Sequence, residues 1–218
     1  SGNDPVFVLP GADLDMTARA LAYGVTLNGG ATCIAPRRVY APPQAAAAIR
    51  DRLAEIFRDA PATPVYGDRT GRLRELLEDI RARGGRIAGT PPSPTATVMT
   101  PLVVSDALEG SAYVREDVFA PVVTIRAVED IEEALTLNDL CPYRLSASIF
   151  GPEREARALA VRMRTGAVVI NDIIVPTADP RLPFGGGGES GFGATRGAEG
   201  LLQLTRTRTL SVRHGRAR

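Results

Sequence analysis

Short apolar runs rich in valine and isoleucine alternate with stretches of helical periodicity along almost all of this 218-residue chain. That alternation constrains the fold more than any other feature, because strand, helix and strand in succession build a parallel sheet. Pro5-Val6-Phe7-Val8-Leu9 reads as a first buried strand. Asp13 caps the helix that follows, where Leu14, Ala18, Leu21, Ala22 and Val25 fall at helical spacing. Asn28-Gly29-Gly30 ends that helix, and Arg38-Val39-Tyr40 is the next strand. Pro42-Pro43 opens a second helix with Ile49, Leu53, Ile56 and Phe57 on one face. A third covers about Arg69 to Arg83, with Leu73, Leu76, Leu77 and Ile80 inward.

Further strands are expected around Arg86-Ile87-Ala88, in the apolar runs Val98 to Val104 and Val122 to Val128, at Leu145 to Phe150 and at Gly166 to Ile170. Helices from Asp130 to Leu137 and from Pro152 to Arg164 separate the later ones. The expected fold class is α/β, a three-layer α/β/α arrangement around an open, largely parallel sheet. Asn171 to Gly197 is rich in Gly and Pro without periodicity, and a loop of that length in a compact domain points to function. Gly200 to Val212 predicts a short helix and then a Thr/Arg strand, followed by a basic tail.

Composition narrows the chemistry. The chain contains no lysine, so all 26 basic residues are arginine, which excludes Schiff-base and phosphate-loop lysines. His214 is the single histidine, so sites built on several histidines are excluded too. Cys33 and Cys141 are too few for a disulfide framework or a cysteine zinc site, and no metal is expected. A reduced, cytoplasmic protein fits this usage. With a net charge of +1, nothing global draws the chain to nucleic acid, and no apolar run is long enough to span a bilayer. The chain opens on Ser1 rather than methionine, which implies a trimmed start.

Few nucleophiles remain. Cys33 follows Asn28-Gly29-Gly30-Ala31-Thr32, and glycines let backbone amides approach a reacting atom. Arg37 and Arg38 favour a thiolate if they fold towards it. Chemistry alone leaves two readings open for Cys33, a nucleophile or a buried structural thiol. Cys141 reads as a packing residue. Gly186, Gly188 and Gly191 match the spacing of a dinucleotide fingerprint, but they follow Pro183-Phe184 rather than a strand, so this is read as a loop. The tail arginines Arg206, Arg208, Arg213, Arg216 and Arg218 read as a solvated basic terminus.

The segment Leu27-Asn28-Gly29-Gly30-Ala31-Thr32-Cys33-Ile34-Ala35-Pro36-Arg37-Arg38 resembles the nucleophile segment of the aldehyde dehydrogenase superfamily. Other landmarks of that family follow in order. Arg115-Glu116-Asp117-Val118-Phe119-Ala120-Pro121 is similar to its Glu-Glu-x-Phe-Gly-Pro motif, and Asn138 to Ser146 to its Asn-x-x-x-Tyr-Gly-Leu-x-Ala segment. Gly166 to Asn171, and Pro183-Phe184-Gly185-Gly186 through Ser190-Gly191-Phe192-Gly193, resemble its two closing motifs. Ala31, Ala120, Gly187-Gly188 and Ala194-Thr195 depart from the family pattern.

The resemblance implies a catalytic domain over residues 1–212, a basic tail over 213–218, and an N-terminal cofactor-binding domain absent from this sequence. It implies oxidation of a small-molecule aldehyde to a carboxylic acid with NAD or NADP, through a thiohemiacetal and a thioester on Cys33. The backbone N–H of Cys33 would be half of an oxyanion hole. Asp117 would hydrogen-bond the nicotinamide ribose and Phe119 would pack near the nicotinamide. Phe184 would sit at the mouth of the substrate pocket, with Asn171 as a supporting residue. The absent domain would be a partner and would carry most of the cofactor contacts, the second oxyanion donor and the general base. Loss of a general base alone costs about 10²–10⁴ in rate. The isolated chain is therefore expected to be inactive and to bind no cofactor. The family further implies a homo-oligomer. Two alternatives stay open, a non-catalytic pseudoenzyme or assembly module of the same fold, and a cysteine-dependent esterase.

Overall fold

The computed structural model describes residues 1–65, 69–106 and 110–215. In chain order the principal elements are β1 (Asp4–Val8), α1 (Leu14–Thr26), β2 (Pro36–Ala41), α2 (Pro43–Arg58), α3 (Arg69–Ala82), β3 (Arg86–Ala88) and β4 (Leu102–Ser105). They continue with β5 (Val122–Ala127), α4 (Ile131–Asp139), β6 (Ser146–Phe150), α5 (Glu153–Ala160), β7 (Ala167–Ile170) and α6 (Gly197–Gln203). The strands form one seven-stranded sheet in the order β7-β6-β1-β2-β5-β4-β3. Every pairing is parallel except β3 with β4. The antiparallel edge closes an otherwise parallel sheet.

Alternation along each strand sorts the core into layers. Val6 and Val8 of β1, with Val39 and Ala41 of β2, pack against Leu21 and Val25 of α1 and against Ile49 and Leu53 of α2. Phe7 and Tyr40, one residue out of phase, face the other side with Ala134 of α4 and Leu159 of α5. Beyond them, Leu73, Leu76, Leu77 and Ile80 of α3 cover Leu102, Val104 and Val122. The sheet is thus covered by helices on both faces, as the pattern of apolar runs requires. Asp13 caps α1 by accepting from Met16 N at 2.9 Å, and Asp130 caps α4 by accepting from Glu133 N at 2.9 Å.

Four details differ from the sequence reading. Ile56 is 40% exposed and lies off the inward face of α2. The run Val98 to Val104 is broken around Pro101, leaving a two-residue bridge at Val98–Met99 and then β4. Helix α5 stops at Ala160, four residues early. Residues 205–214 form no strand, pair with none of the described strands and are exposed. Arg216 and Arg218 of the basic tail lie outside the described residues. Among the described residues no helix is long and apolar enough to cross a membrane.

Parallel pairing brings the starts of β1, β2, β5, β6 and β7 to one end of the sheet. Cys33, Asp117 and Phe119 lie in the segments leading into β2 and β5, at that end.

Candidate active site

The loop that carries Cys33 is built by three consecutive left-handed residues, Asn28 (φ 53°), Gly29 (φ 63°) and Gly30 (φ 78°). They reverse the chain at the end of α1 and return it towards β2. Ala31 N donates to Asn28 O at 3.1 Å and Ala35 N to Thr32 O at 3.0 Å, so Cys33 sits in a tight turn. A side chain at Gly30 would overlap the Ala120 carbonyl and Pro121 N. The cysteine loop therefore lies backbone against backbone on the segment that leads into β5.

Cys33 is partly exposed and Cys141 is fully buried. Burial pushes the Cys33 thiol above its ordinary value, the charge of Asp4 pushes it further, and its own backbone N–H works in the opposite direction. The two arginines spend their donors in the core rather than on the sulfur, so the condition under which they would favour a thiolate is not met. Arg38 donates to Asn3 O (3.0 and 2.7 Å), to the Tyr40 hydroxyl (2.9 Å) and to Asn138 Oδ1 (3.1 Å). Arg37 donates to Asp117 Oδ1 (3.0 Å), to Ala120 O (2.6 Å) and to Gly30 O. Buried guanidinium groups must spend their donors on nearby acceptors, and here those are carbonyls and an acid in the core.

Asp4 was not singled out in the sequence, yet it stands beside the cysteine. Gly2 has no room for a side chain because the Cys33 carbonyl, Asp4 Oδ1 and Leu145 surround it. Asp4 Oδ1 accepts from Ser146 N at 3.3 Å, while Oδ2 is buried and has no partner among the described residues. Burial holds this carboxyl well above the usual carboxylate range.

Asp117 is closed in. Its side chain is 1% exposed and Arg37 beside it is 2% exposed. One carboxylate oxygen accepts from both Arg37 Nε and Phe119 N (2.9 Å), and the other is buried without a partner among the described residues. Burial raises this carboxyl above its ordinary value despite the Arg37 charge. A cofactor ribose could not touch either oxygen as placed, so Asp117 fits that role only if the 117–121 segment moves. Phe119 adopts φ 49° and is half-buried, with the Arg69 guanidinium 5.1 Å from its ring centre. Its ring is the more accessible of the two.

Phe184 lies at the same end of the sheet. Gly185, beside it, presses its carbonyl on Gly166 at the start of β7, and Gly186 touches Arg144 and Leu145 before β6. The Arg196 guanidinium stacks on the Phe184 ring at 4.7 Å. Asn171 is not brought to this site. It follows β7, and its side chain accepts from Gly151 N at 2.8 Å and donates to Gly151 O at 2.9 Å, tying β6 to β7 at the opposite end of the sheet. An asparagine at φ 55° directly after a strand is a turn residue, and the motif match did not distinguish that from a site role. The glycines of the 186–191 stretch lie along Tyr143 and Arg144, with Gly187–Gly188 pairing antiparallel to them, so no strand-to-helix turn forms there. Among the described residues no group of three or more His, Cys, Asp or Glu could hold a metal ion.

Sequence reasoning missed the joint role of Arg37 and Asp117, and it missed Asp4. One signal was present: two adjacent arginines opening an apolar strand must find buried acceptors.

With this geometry established, comparison with known proteins gives a consistent result. The family model described as aldehyde dehydrogenase family matches residues 1–210. The chain is 33% identical to "Aldehyde dehydrogenase LUC3" of a Fusarium species, over 96% of this chain and 48% of that protein. It is 31% identical to a succinate-semialdehyde dehydrogenase [NADP(+)] of Deinococcus radiodurans, over 94% of this chain and 45% of that protein. An NADP-dependent glyceraldehyde-3-phosphate dehydrogenase of Bacillus halodurans, solved with NADP, superposes with a TM-score of 0.87 at 27% identity, covering 95% of this chain and 46% of that one. The chain thus spans about half the length of each of these three proteins. A family match from the first residue to 210, on a parallel α/β sheet that superposes on solved relatives, leads to one conclusion: this chain belongs to the aldehyde dehydrogenase family.

Proposed function

We propose that the chain is the cysteine-bearing half of an NAD(P)-dependent aldehyde dehydrogenase that oxidises an aldehyde to a carboxylic acid. The observation that carries this reading is the Cys33 turn. A partly exposed thiol sits at the head of β2, and a backbone packed on the 117–121 segment fixes its place. In this reading Cys33 loses its proton and its sulfur adds to the aldehyde carbonyl carbon. The backbone N–H of Cys33 supports the oxyanion that forms. A nicotinamide, when bound, would accept the hydride that leaves the former aldehyde carbon as the oxyanion collapses to a thioester. Water then hydrolyses the thioester and frees Cys33.

The raised thiol sets a requirement, since the sulfur needs a base to take its proton and neither arginine stabilises the thiolate. The 218 residues alone are therefore proposed to turn over slowly at best and to hold the cofactor weakly. Phe119 would pack near the nicotinamide. Asp117 would reach the ribose only after its segment leaves Arg37. Phe184, at the same end of the sheet, would border the aldehyde. The same protonated thiol is what a non-catalytic relative with this fold would show, and that is the second reading.

The test is reduction of NAD or NADP by the natural gene product with a panel of aldehydes. Reduced cofactor should form with the unmutated protein and not with Cys33→Ala, because no other residue of this chain is placed to form the thiohemiacetal. Cys33→Ser should be nearly as damaging, a serine hydroxyl being much the weaker nucleophile without a strong base. If Cys33→Ala keeps pace with the parent, the mechanism is wrong. If the parent itself reduces neither cofactor, the non-catalytic reading stands.

A further inference from the structure

The Arg37 side chain joins the Cys33 loop and the 117–121 segment, which also meet backbone to backbone at Gly30. In the pairing of β1 with β2, Asp4 lies opposite Pro36 and Pro5 opposite Arg38, which leaves Arg37 as the extra residue of a bulge. Bulges commonly re-aim a side chain beside a site. Here the side chain reaches back to Gly30 O, three residues before Cys33, and across to Asp117 Oδ1 and Ala120 O. Its own carbonyl accepts from Thr124 Oγ1 of β5 at 2.9 Å. We infer that Arg37 is the positioning residue of the nucleophile: its buried fork fastens the Cys33 loop to the 117–121 segment, so that Asp117 helps set where the thiol sits.

Three features support a lock rather than an incidental ion pair. The planar guanidinium matches an acid and two carbonyls at once, which an ammonium on a flexible stem cannot do. Both partners are sealed from water, so the contacts are not screened as surface pairs are. Gly30 lets the two backbones touch, which keeps all three acceptors within one arginine's reach. The thiol is close enough to Asp117 to feel its charge. The inference rests on the reading of Cys33 as nucleophile.

Amide hydrogen exchange read by mass spectrometry on the 218-residue chain tests it, with iodoacetamide labelling of Cys33 measured in parallel. In Arg37→Met, exchange in residues 28–33 and 117–121 should rise by about tenfold or more, while exchange in α2 stays as in the parent. Asp117→Asn, which keeps the shape and loses the charge, should raise the same two segments by less. The double variant should go no further than Arg37→Met, because the two side chains act as a unit. Cys33 should label faster in step with its loop, and Cys141 should not. Should Arg37→Met fail to fold, Arg37→Lys carries the same expectation, since it retains the charge without the fork. Unchanged exchange at 28–33 in these variants overturns the inference, as does a rise spread evenly through α2. Equal labelling of the two cysteines in the unmutated chain overturns the nucleophile reading, and the inference with it, whatever the exchange shows.

Discussion

The two ends of the sheet are built on different principles. At the end where the parallel strands begin, Asn3, Asp4, Arg37, Arg38 and Asp117 have their side chains shut away from water, and Cys33 stands among them. At the other end, the turns after β6 and β7 are joined by an ordinary clamp of Asn171 on Gly151, with the asparagine exposed. Burying that many polar groups is unfavourable unless each is bonded, and several are not. Asn3 Oδ1, Asp4 Oδ2, Tyr113 hydroxyl and Asp117 Oδ2 all lack partners among the described residues. A fold under no other demand would fill such a region with apolar side chains. On the reading of Cys33 proposed above, the end with the buried polar groups would serve chemistry and the other closure. A site at this end would reverse the usual expectation for open α/β sheets, whose ligands lie beyond the carboxyl ends of the strands.

Substitutions at the two ends should differ accordingly. The largest effect is expected from Gly30→Ala. Its φ of 78° and the Ala120 carbonyl against it leave no place for a methyl group, so unfolding in urea should show a loss of about 2 kcal/mol or more. At the far end, Asn171→Ala removes two hydrogen bonds from an exposed turn and should cost about 1 kcal/mol. It should leave the iodoacetamide reactivity of Cys33 as it was. A larger loss from Asn171→Ala than from Gly30→Ala would invert the comparison.

The subtlest difference is one of slope. Because Asp4 is held above its ordinary value of 3.8, its neutral form favours the fold. That contribution is complete below the ordinary value and is lost as pH rises through the raised one. Asp4→Asn has no proton to lose. Its stability relative to the parent should therefore be flat in acid and should improve steadily towards neutral pH, as followed by denaturant midpoints across that range. A difference that does not change with pH would show that Asp4 is not the strained acid of this end.

Much of this was readable in the chain. The alternation of Val- and Ile-rich runs with helical stretches predicts the three layers and most strand positions, because period and burial follow from the same apolar residues. Cys33 stands out as a sulfur behind two glycines. What the sequence concealed was direction. Arg37 and Arg38 would favour the thiolate only if they folded towards it, and the bulge at Arg37 and the carbonyls around the pair turn both into the core. Asp4, just before the strand expected from the sequence and the first residue of β1, gave no sign of burial, since its enclosure depends on Ser146 and Gly2 from distant or terminal positions. Asn171 matched a motif but follows its strand rather than preceding it, and topology alone separates those two ends. The Thr/Arg stretch after α6 has the composition of a strand but pairs with none of the described strands.

The central claim is that the reactive thiol is the one at the head of β2. Limiting iodoacetamide, with labelled peptides quantified by mass spectrometry over a pH series, tests it most directly. Cys33 should be alkylated before Cys141 throughout, because one sulfur is partly exposed in a turn and the other is fully buried. The Cys33 rate should titrate with a midpoint above the ordinary thiol value of 9.0, since burial and the charge of Asp4 both oppose the thiolate. Equal labelling of the two cysteines in the folded protein, or labelling of Cys141 first, would contradict the account.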